Sequence, residues 1–263
     1  MYATTLLEQR HNIMEERRNA IVEFINHSGT VSFRRLKQEF PDVSEMTLRT
    51  DLKALDAEGR IVRIHGGARS VEQIIGTDGN LSVRQGKNAD SKDLIAQKAL
   101  GLIKPNTTVF LDSGSTTTAL AKRIPDERLI IFTSGISCAL ELARLEQASV
   151  NMPGGQLNRF SMSLSGSRTI QSVQTMAFDQ LFLGVTGYTD ATGFACGSDE
   201  EANLKHACIE RADEVVLLMD SSKVGARSTF SFCWLDDIDI IVSDDNLPES
   251  FVTRCENAGI EII

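Results

Sequence analysis

The 263-residue sequence has no apolar run approaching the ~20 residues needed to cross a bilayer, so no membrane span is expected. Its first residues, MYATTLLEQRHNIMEERR, lack an apolar stretch ending in a small-residue cleavage site, so no secretory leader is expected. The five cysteines (Cys138, Cys196, Cys208, Cys233 and Cys255) are scattered, odd in number, and form no C-x-x-C pair. Reduced thiols in a cytoplasmic protein are the expectation, with neither disulfide nor metal site. Two phosphate-binding signatures are missing as well. No G-K-[ST] follows a glycine loop, and G-x-G-x-x-G is absent, which excludes a Walker nucleotide site and a dinucleotide fingerprint. No repeat of 20–50 residues is present. A basic surplus is lacking too: the formal net charge is −9.

The deficit of positive charge is uneven. Residues 1–70 carry 11 Lys and Arg against 10 Asp and Glu, whereas residues 71–263 carry 16 against 26. The acidic excess lies wholly in the second part, and the near-neutral first part can still present a local basic face to a polyanion.

That first part has a distinct pattern. In RRNAIVEFINHSG, Ile21, Phe24 and Ile25 fall at i, i+3 and i+4, predicting a helix with one apolar stripe, stopped by Gly29. Val31 suits a short strand, Ser32 a cap for a second helix, FRRLKQEF, and Pro41 its end. Ser44 caps a third helix, EMTLRTDLKALDAEG, in which Leu48, Leu52 and Leu55 form the buried face and Gly59 the stop. RIVRIHGGA then reads as a two-stranded β-wing. The whole predicts a winged helix-turn-helix over residues 13–70. The N-terminal part of its third helix would meet base edges in a major groove. Arg49 has the fork geometry for guanine. Thr47 and Thr50 suit phosphate or a thymine methyl, Ser44 lies at the helix start where phosphate is favoured, and Lys53, Arg60, Arg63 and His65 suit phosphates.

Residues 71–90 show no clear period and read as a linker. From residue 91 onward the strands TVFLD, LIIFT, SVNMP, QLFLGVT, EVVLLMD, IDIIVSD and GIEII are interleaved with helical stretches, predicting a mostly parallel α/β sheet domain over residues 91–263. The loop Asp112-Ser113-Gly114-Ser115-Thr116-Thr117 follows a strand and opens a helix, where small residues and hydroxyls suit an anion. GVTG (184–187), SDEEANLK (198–205) and DSSKVG (220–225) sit at further strand ends, where open α/β sheets bind ligands, and bring Lys205 and Lys223 as candidate phosphate partners.

Laid out in this order, the chain resembles the DeoR family of bacterial regulators of sugar metabolism. The resemblance runs through VSEMTLRTDLKALDAEGRIVRIHGGA (43–68), FLDSGSTT, MPGGQLNRFSMSLSG, FDQLFLGVTG, DEEANLK, DSSKVG and IVSDDNLP. It implies an effector domain similar in fold to ribose-5-phosphate isomerase. It also implies an effector site lined by Asp112, Gly114, Ser115, Thr116 and Lys223, with Gly155 and Lys205 near it. In two places the chain departs from the family pattern: Thr50 stands where a second basic residue is usual, and Thr186 where Asp is common.

The resulting expectation is a DNA-binding repressor of a carbohydrate-utilisation operon, controlled by a phosphorylated sugar or related metabolite, without a cofactor. Because one small helix recognises DNA weakly, a homodimer or homotetramer on double-stranded operator DNA is expected. A sugar-phosphate isomerase with an accessory head would need a positioned base. Glu200, Glu201 and His206 are available, but Thr186 stands where the resemblance implies a carboxylate. A ligand-free scaffolding protein leaves the anion loop and paired lysines unexplained.

Overall fold

The computed structural model of the chain describes residues 2–28, 30–70 and 81–263, without the side chains of residues 2–13, 27, 30, 82 and 83. Gly29 and residues 71–80 of the expected linker lie outside the described residues. The chain divides into two compact units, 1–75 and 76–263.

In the first unit, helix α1 (Tyr2–Ser28) is followed by strand β1 (Thr30–Ser32), α2 (Phe33–Glu39), α3 (Glu45–Ala57), β2 (Ile61–Ile64) and β3 (Gly67–Ser70). Ile21, Ile25, Leu36, Leu48, Leu52 and Leu55 close the core against Val31, Ile61 and Ala68, following the i, i+4, i+7 spacing of the sequence. Ser32 and Ser44 cap α2 and α3, accepting from the amides of Arg35 and Thr47. Gly59 takes the left-handed conformation that ends α3 (φ +68°). The wing is wider than a hairpin. β3 is the centre of a three-stranded antiparallel sheet, flanked by β1 and β2. Gly67 permits this, since a Cβ there would overlap the Val31 carbonyl.

The second unit begins with α4 (Leu81–Gly86) and α5 (Ala89–Leu100), so residues 81–90 of the stretch that reads as linker are largely helical. A seven-stranded sheet follows in the order β15–β14–β12–β9–β4–β5–β6, formed by β4 (Thr108–Leu111), β5 (Ile130–Thr133), β6 (Ser149–Asn151), β9 (Gln180–Gly184), β12 (Val215–Leu218), β14 (Ile240–Val242) and β15 (Glu261–Ile262). All its pairings are parallel. Alternation along the strands feeds two cores. Phe110, Leu181, Leu183, Val215 and Leu217 face one layer, while Val109, Leu111, Phe182, Val216 and Leu218 face the other. Burial on both faces is why these strands read as near-continuous apolar runs.

Covering helices are α6 (Ser115–Ala121), α7 (Ile136–Leu142), α8 (Ser167–Val173), α9 (Asp199–Ile209) and α10 (Glu249–Asn257). A hairpin, β7 (Gln156–Asn158) with β8 (Ser163–Ser165), and a small antiparallel sheet of β10 (Gly187–Thr189), β11 (Gly193–Cys196) and β13 (Phe230–Cys233) complete the unit. No helix of the described residues is long and apolar enough to cross a membrane.

Candidate functional site

In the first unit, α3 presents Ser44, Glu45, Met46, Arg49, Thr50 and Lys53 as exposed residues, while Leu48, Asp51, Leu52 and Leu55 are buried. The Ser44 hydroxyl is engaged by the Thr47 amide (3.1 Å) and the Thr47 hydroxyl (2.8 Å). Thr50 donates its hydroxyl to the Met46 carbonyl (2.9 Å), leaving an oxygen that only accepts. Arg49 lies over the Phe33 ring, 4.2 Å from its centroid, a cation–π stack that orders the guanidinium while its edge stays exposed. Arg63 and His65 are exposed on the wing. Arg60 is instead committed to α1, donating to Asn19 (2.6 Å) and pairing with Glu15 (3.8 Å).

A clamp from α1 fixes α3. Buried Asp51 accepts from Arg17 (2.7 Å) and Arg18 (3.1 Å) of α1. Partners 33 and 34 residues apart leave no local signal.

In the second unit the candidate edge follows from topology. All seven strands run the same way, so their carboxyl ends share one edge. The chain reverses its direction of sheet growth between β4 and β9, the switch point where such sheets bind ligands. Asp112 leaves β4 there, 2% exposed, accepting from the Gly184 amide (3.0 Å). Lys205 of α9 is equally buried. It donates to Asp112 and to the Gly184 carbonyl (2.8 Å), pairs with Glu201 (3.3 Å) and lies 5.2 Å from the Phe232 ring centroid. Burial alone would lower its pKa, but the Asp112 and Glu201 carboxylates reverse the effect and raise it. Lys205 is therefore a fixed cation holding Asp112.

The loop after Asp112 carries Gly114 at φ +150°, with buried Ser115 and half-buried Thr116 opening α6. Thr117 and Thr118 donate back to the Gly114 carbonyl (3.2 and 2.5 Å) and fix the turn. Gly155 (φ +121°) has Thr169 and the Ser165 carbonyl as immediate neighbours, and a Cβ would overlap both.

Lys223 lies in a short 3-10 turn (Ser221–Lys223) after β12, with Asp220 as its cap. The structure adds neighbours that the sequence did not disclose. Lys92 of α5, 7% exposed, is close enough to Lys223 and Asp220 to feel both charges. Burial first, and then the like charge of Lys223, push its pKa down to about 8. Asn88 donates to Asp220 Oδ1 (3.2 Å) and Ser222 Oγ (3.3 Å). Asp220 Oδ2 and the Ser134 hydroxyl, at the ends of β12 and β5, are buried with no hydrogen-bond partner among the described residues. Such orphans are rare in a protein interior, and here both lie at the carboxyl edge of the parallel sheet.

Glu200 accepts from Ser165 (2.7 Å), Glu201 pairs with Lys205, and His206 pairs with Glu210 (3.7 Å) on an exposed helix face. No cluster of His, Cys, Asp and Glu among the described residues is arranged to hold a metal.

Comparison with known proteins follows the same division. Residues 17–74 match the model of the DeoR-like helix-turn-helix domain, and residues 87–245 that of the DeoR C terminal sensor domain. The chain is 31% identical to the HTH-type transcriptional regulator GolR of Listeria innocua, covering 94% of this chain and 97% of that one. It is 32% identical to the HTH-type transcriptional regulator GlpR of Haloferax volcanii (94% and 96%) and 29% identical to the lactose phosphotransferase system repressor of Staphylococcus epidermidis (88% and 92%). Among solved structures it is similar to ribose 5-phosphate isomerase A of Methanocaldococcus jannaschii, with 16% identity and a TM-score of 0.39, covering 52% of this chain and 55% of that one. The chain belongs to the DeoR family of DNA-binding transcriptional regulators, with a helix-turn-helix domain ahead of a C-terminal sensor domain.

Proposed function

We propose that the protein is a repressor of a carbohydrate-utilisation operon, released from or held on its operator by a phosphorylated sugar or related metabolite. The observation that carries the reading is the pairing of Lys92 and Lys223 beside the buried, unpartnered Asp220 oxygen at the carboxyl edge of the parallel sheet. Two cations suit a phosphate, and an acceptor without a donor suits a sugar hydroxyl. A relative named as a lactose phosphotransferase system repressor supports a role in carbohydrate metabolism.

The roles divide between the units. Arg49, ordered on Phe33, reads a guanine edge; Thr47 and Thr50 meet phosphate or a thymine methyl; Ser44, Lys53, Arg63 and His65 hold the backbone. In the sensor unit Gly114, Ser115, Thr116 and Lys223 touch the effector. Asp112, held by Lys205, presents a fixed carboxylate, and Gly155 keeps the adjoining turn close-packed. The chain acts as a homodimer or homotetramer in the cytoplasm, because one recognition helix does not provide operator-grade specificity. Control is a population shift: the effector binds the two arrangements of the assembly with different affinity, typically worth ~1–3 kcal/mol.

The test is a fluorescence-anisotropy titration on the DNA upstream of the chain's own gene, repeated with a panel of sugar phosphates. Saturable binding that one compound shifts is expected. Specific binding indifferent to every compound would remove the effector assignment.

A further inference from the structure

Helix α4 is too short to stand alone: six residues form barely more than a nucleus, and its closing carbonyls lack intrahelical donors. One of those carbonyls, Arg84 O, accepts from Lys92, and so does the carbonyl of Lys87 just beyond the helix. Lys92 thus caps α4 from outside. Its ammonium offers three donors, of which these carbonyls take two. α4 is held elsewhere by buried Leu81, whose amide donates to Phe160 O (3.1 Å), and by packing on α6, the helix opened by Ser115. It is also the first described element of the sensor unit after the wing strand β3.

The same ammonium faces the candidate effector site. Lys223 and Asp220 act on its charge, and Asp220 is tied through Asn88 to the start of α5. A charge shared between two carbonyl dipoles and an anion moves toward the anion, because the full charge of an anion attracts an ammonium more strongly than the partial charge of a carbonyl oxygen does.

We propose that Lys92 is the transmitting residue of the sensor: an anion bound against Lys92 and Lys223 draws the ammonium away from the carbonyls of Arg84 and Lys87, uncaps α4, and so alters the segment that leads to the DNA-binding unit. This rests on the effector reading above and adds its route of action. Nothing in the route depends on which sugar is attached, since the anion alone competes for the ammonium.

The experiment uses the full chain, with inorganic phosphate as the probe. Calorimetry measures binding, and hydrogen–deuterium exchange follows the peptide covering residues 81–88. Phosphate should bind and should speed exchange of that peptide about tenfold, within the usual range of intersite coupling. Lys92→Met should exchange at the phosphate-bound rate without phosphate and should gain nothing from its addition, while Lys92→Arg, which keeps the cap, should protect the peptide as the parent does. Peptides covering β9 and β12 should be unchanged in Lys92→Met, which separates loss of the cap from general unfolding. If phosphate binds and residues 81–88 exchange unchanged, the transmitting role is overturned while the effector site stands. If phosphate fails to bind, effector site and transmission fall together. A Lys92→Met chain that binds phosphate less tightly but keeps residues 81–88 protected makes Lys92 a ligand only and overturns the proposal.

Discussion

Removing the Lys205 ammonium tests whether that residue is a fixed internal cation or a free ligand for the effector. Lys205 and Asp112 side chains are 2% and 3% exposed. With Lys205→Met, Asp112 keeps the Gly184 amide as its one described donor, and Glu201 loses its partner. An uncompensated buried charge of this kind costs about 3–5 kcal/mol. For a sensor unit of residues 76–263, each kcal/mol lowers the melting temperature by about 2–4 °C, so the fall should be roughly 6–20 °C. Urea unfolding followed by fluorescence isolates the relevant unit, because Trp234 is the sole tryptophan and its ring covers Gly193 within the sensor. The double variant Asp112→Asn/Lys205→Met removes both charges and should recover most of the loss, since a buried pair replaced as a whole is close to neutral. A single variant within about 1 kcal/mol of the parent, the range of an exposed pair, would refute the reasoning. It would return Lys205 to the role of a free phosphate ligand.

Three further outcomes follow from Lys92 and Gly155 of the sensor unit. Phosphate affinity should fall as pH rises past about 8, because Lys92 must be protonated to attract an anion and burial and Lys223 lower its pKa to that value. Arg84, Lys87, Lys223 and Asp220 are the other charged groups acting on Lys92. Lys92→Arg, whose guanidinium stays charged, should hold its affinity across that range in a calorimetric pH series, and identical profiles for the two chains would remove Lys92 from the anion site. The sign for folding is opposite. The unfolded lysine titrates near 10.5, so charged Lys92 costs stability below about 8, and that cost disappears as the pH rises from 8 toward 10.5. Gly155→Ala should lower the urea midpoint of Trp234 fluorescence, combining roughly 1–3 kcal/mol of left-handed strain with a similar overpacking cost against Thr169 and Ser165. An unchanged midpoint would show that the turn relaxes freely.

The parts of the fold legible in the sequence are those fixed by periodicity or continuous burial. Leu48, Leu52 and Leu55 mark one face of α3, and Ser44 and Gly59 mark its ends. The inner strands β4, β9, β12 and β14 read as apolar runs because both their faces are covered, whereas the edge strands β6 and β15 are partly exposed. Strands β7, β8, β10, β11 and β13 were not legible. They span three or four residues each, in stretches such as QLN and GYT, and only their partners make them strands. Helix α9 carried a readable start, with Ser198 as cap and Asp199, Glu200 and Glu201 in the first turn. Its burial of Ala202, Leu204, Lys205, Ala207 and Cys208 leaves no single apolar stripe, so the segment reads as a polar strand-end loop. Candidate site residues could be picked out in the sequence where chemistry is local, as in the 112–117 loop and the 220–225 turn. Lys92, Asn88 and Asp51 act on residues far along the chain, and a lysine among charged neighbours in NADSKD resembles any solvated one until the fold buries it.

The central claim is that one chain holds two separable sites, one for operator and one for effector, joined by coupling. The direct measurement is operator binding by anisotropy for the parent, Arg49→Ala and Lys223→Ala, each with and without the active sugar phosphate. Arg49→Ala should lose specific operator binding while calorimetry still shows effector binding. Lys223→Ala should bind operator as the parent does and ignore the effector. An Arg49→Ala chain with parental operator affinity, or a Lys223→Ala chain with a parental response, would contradict the account.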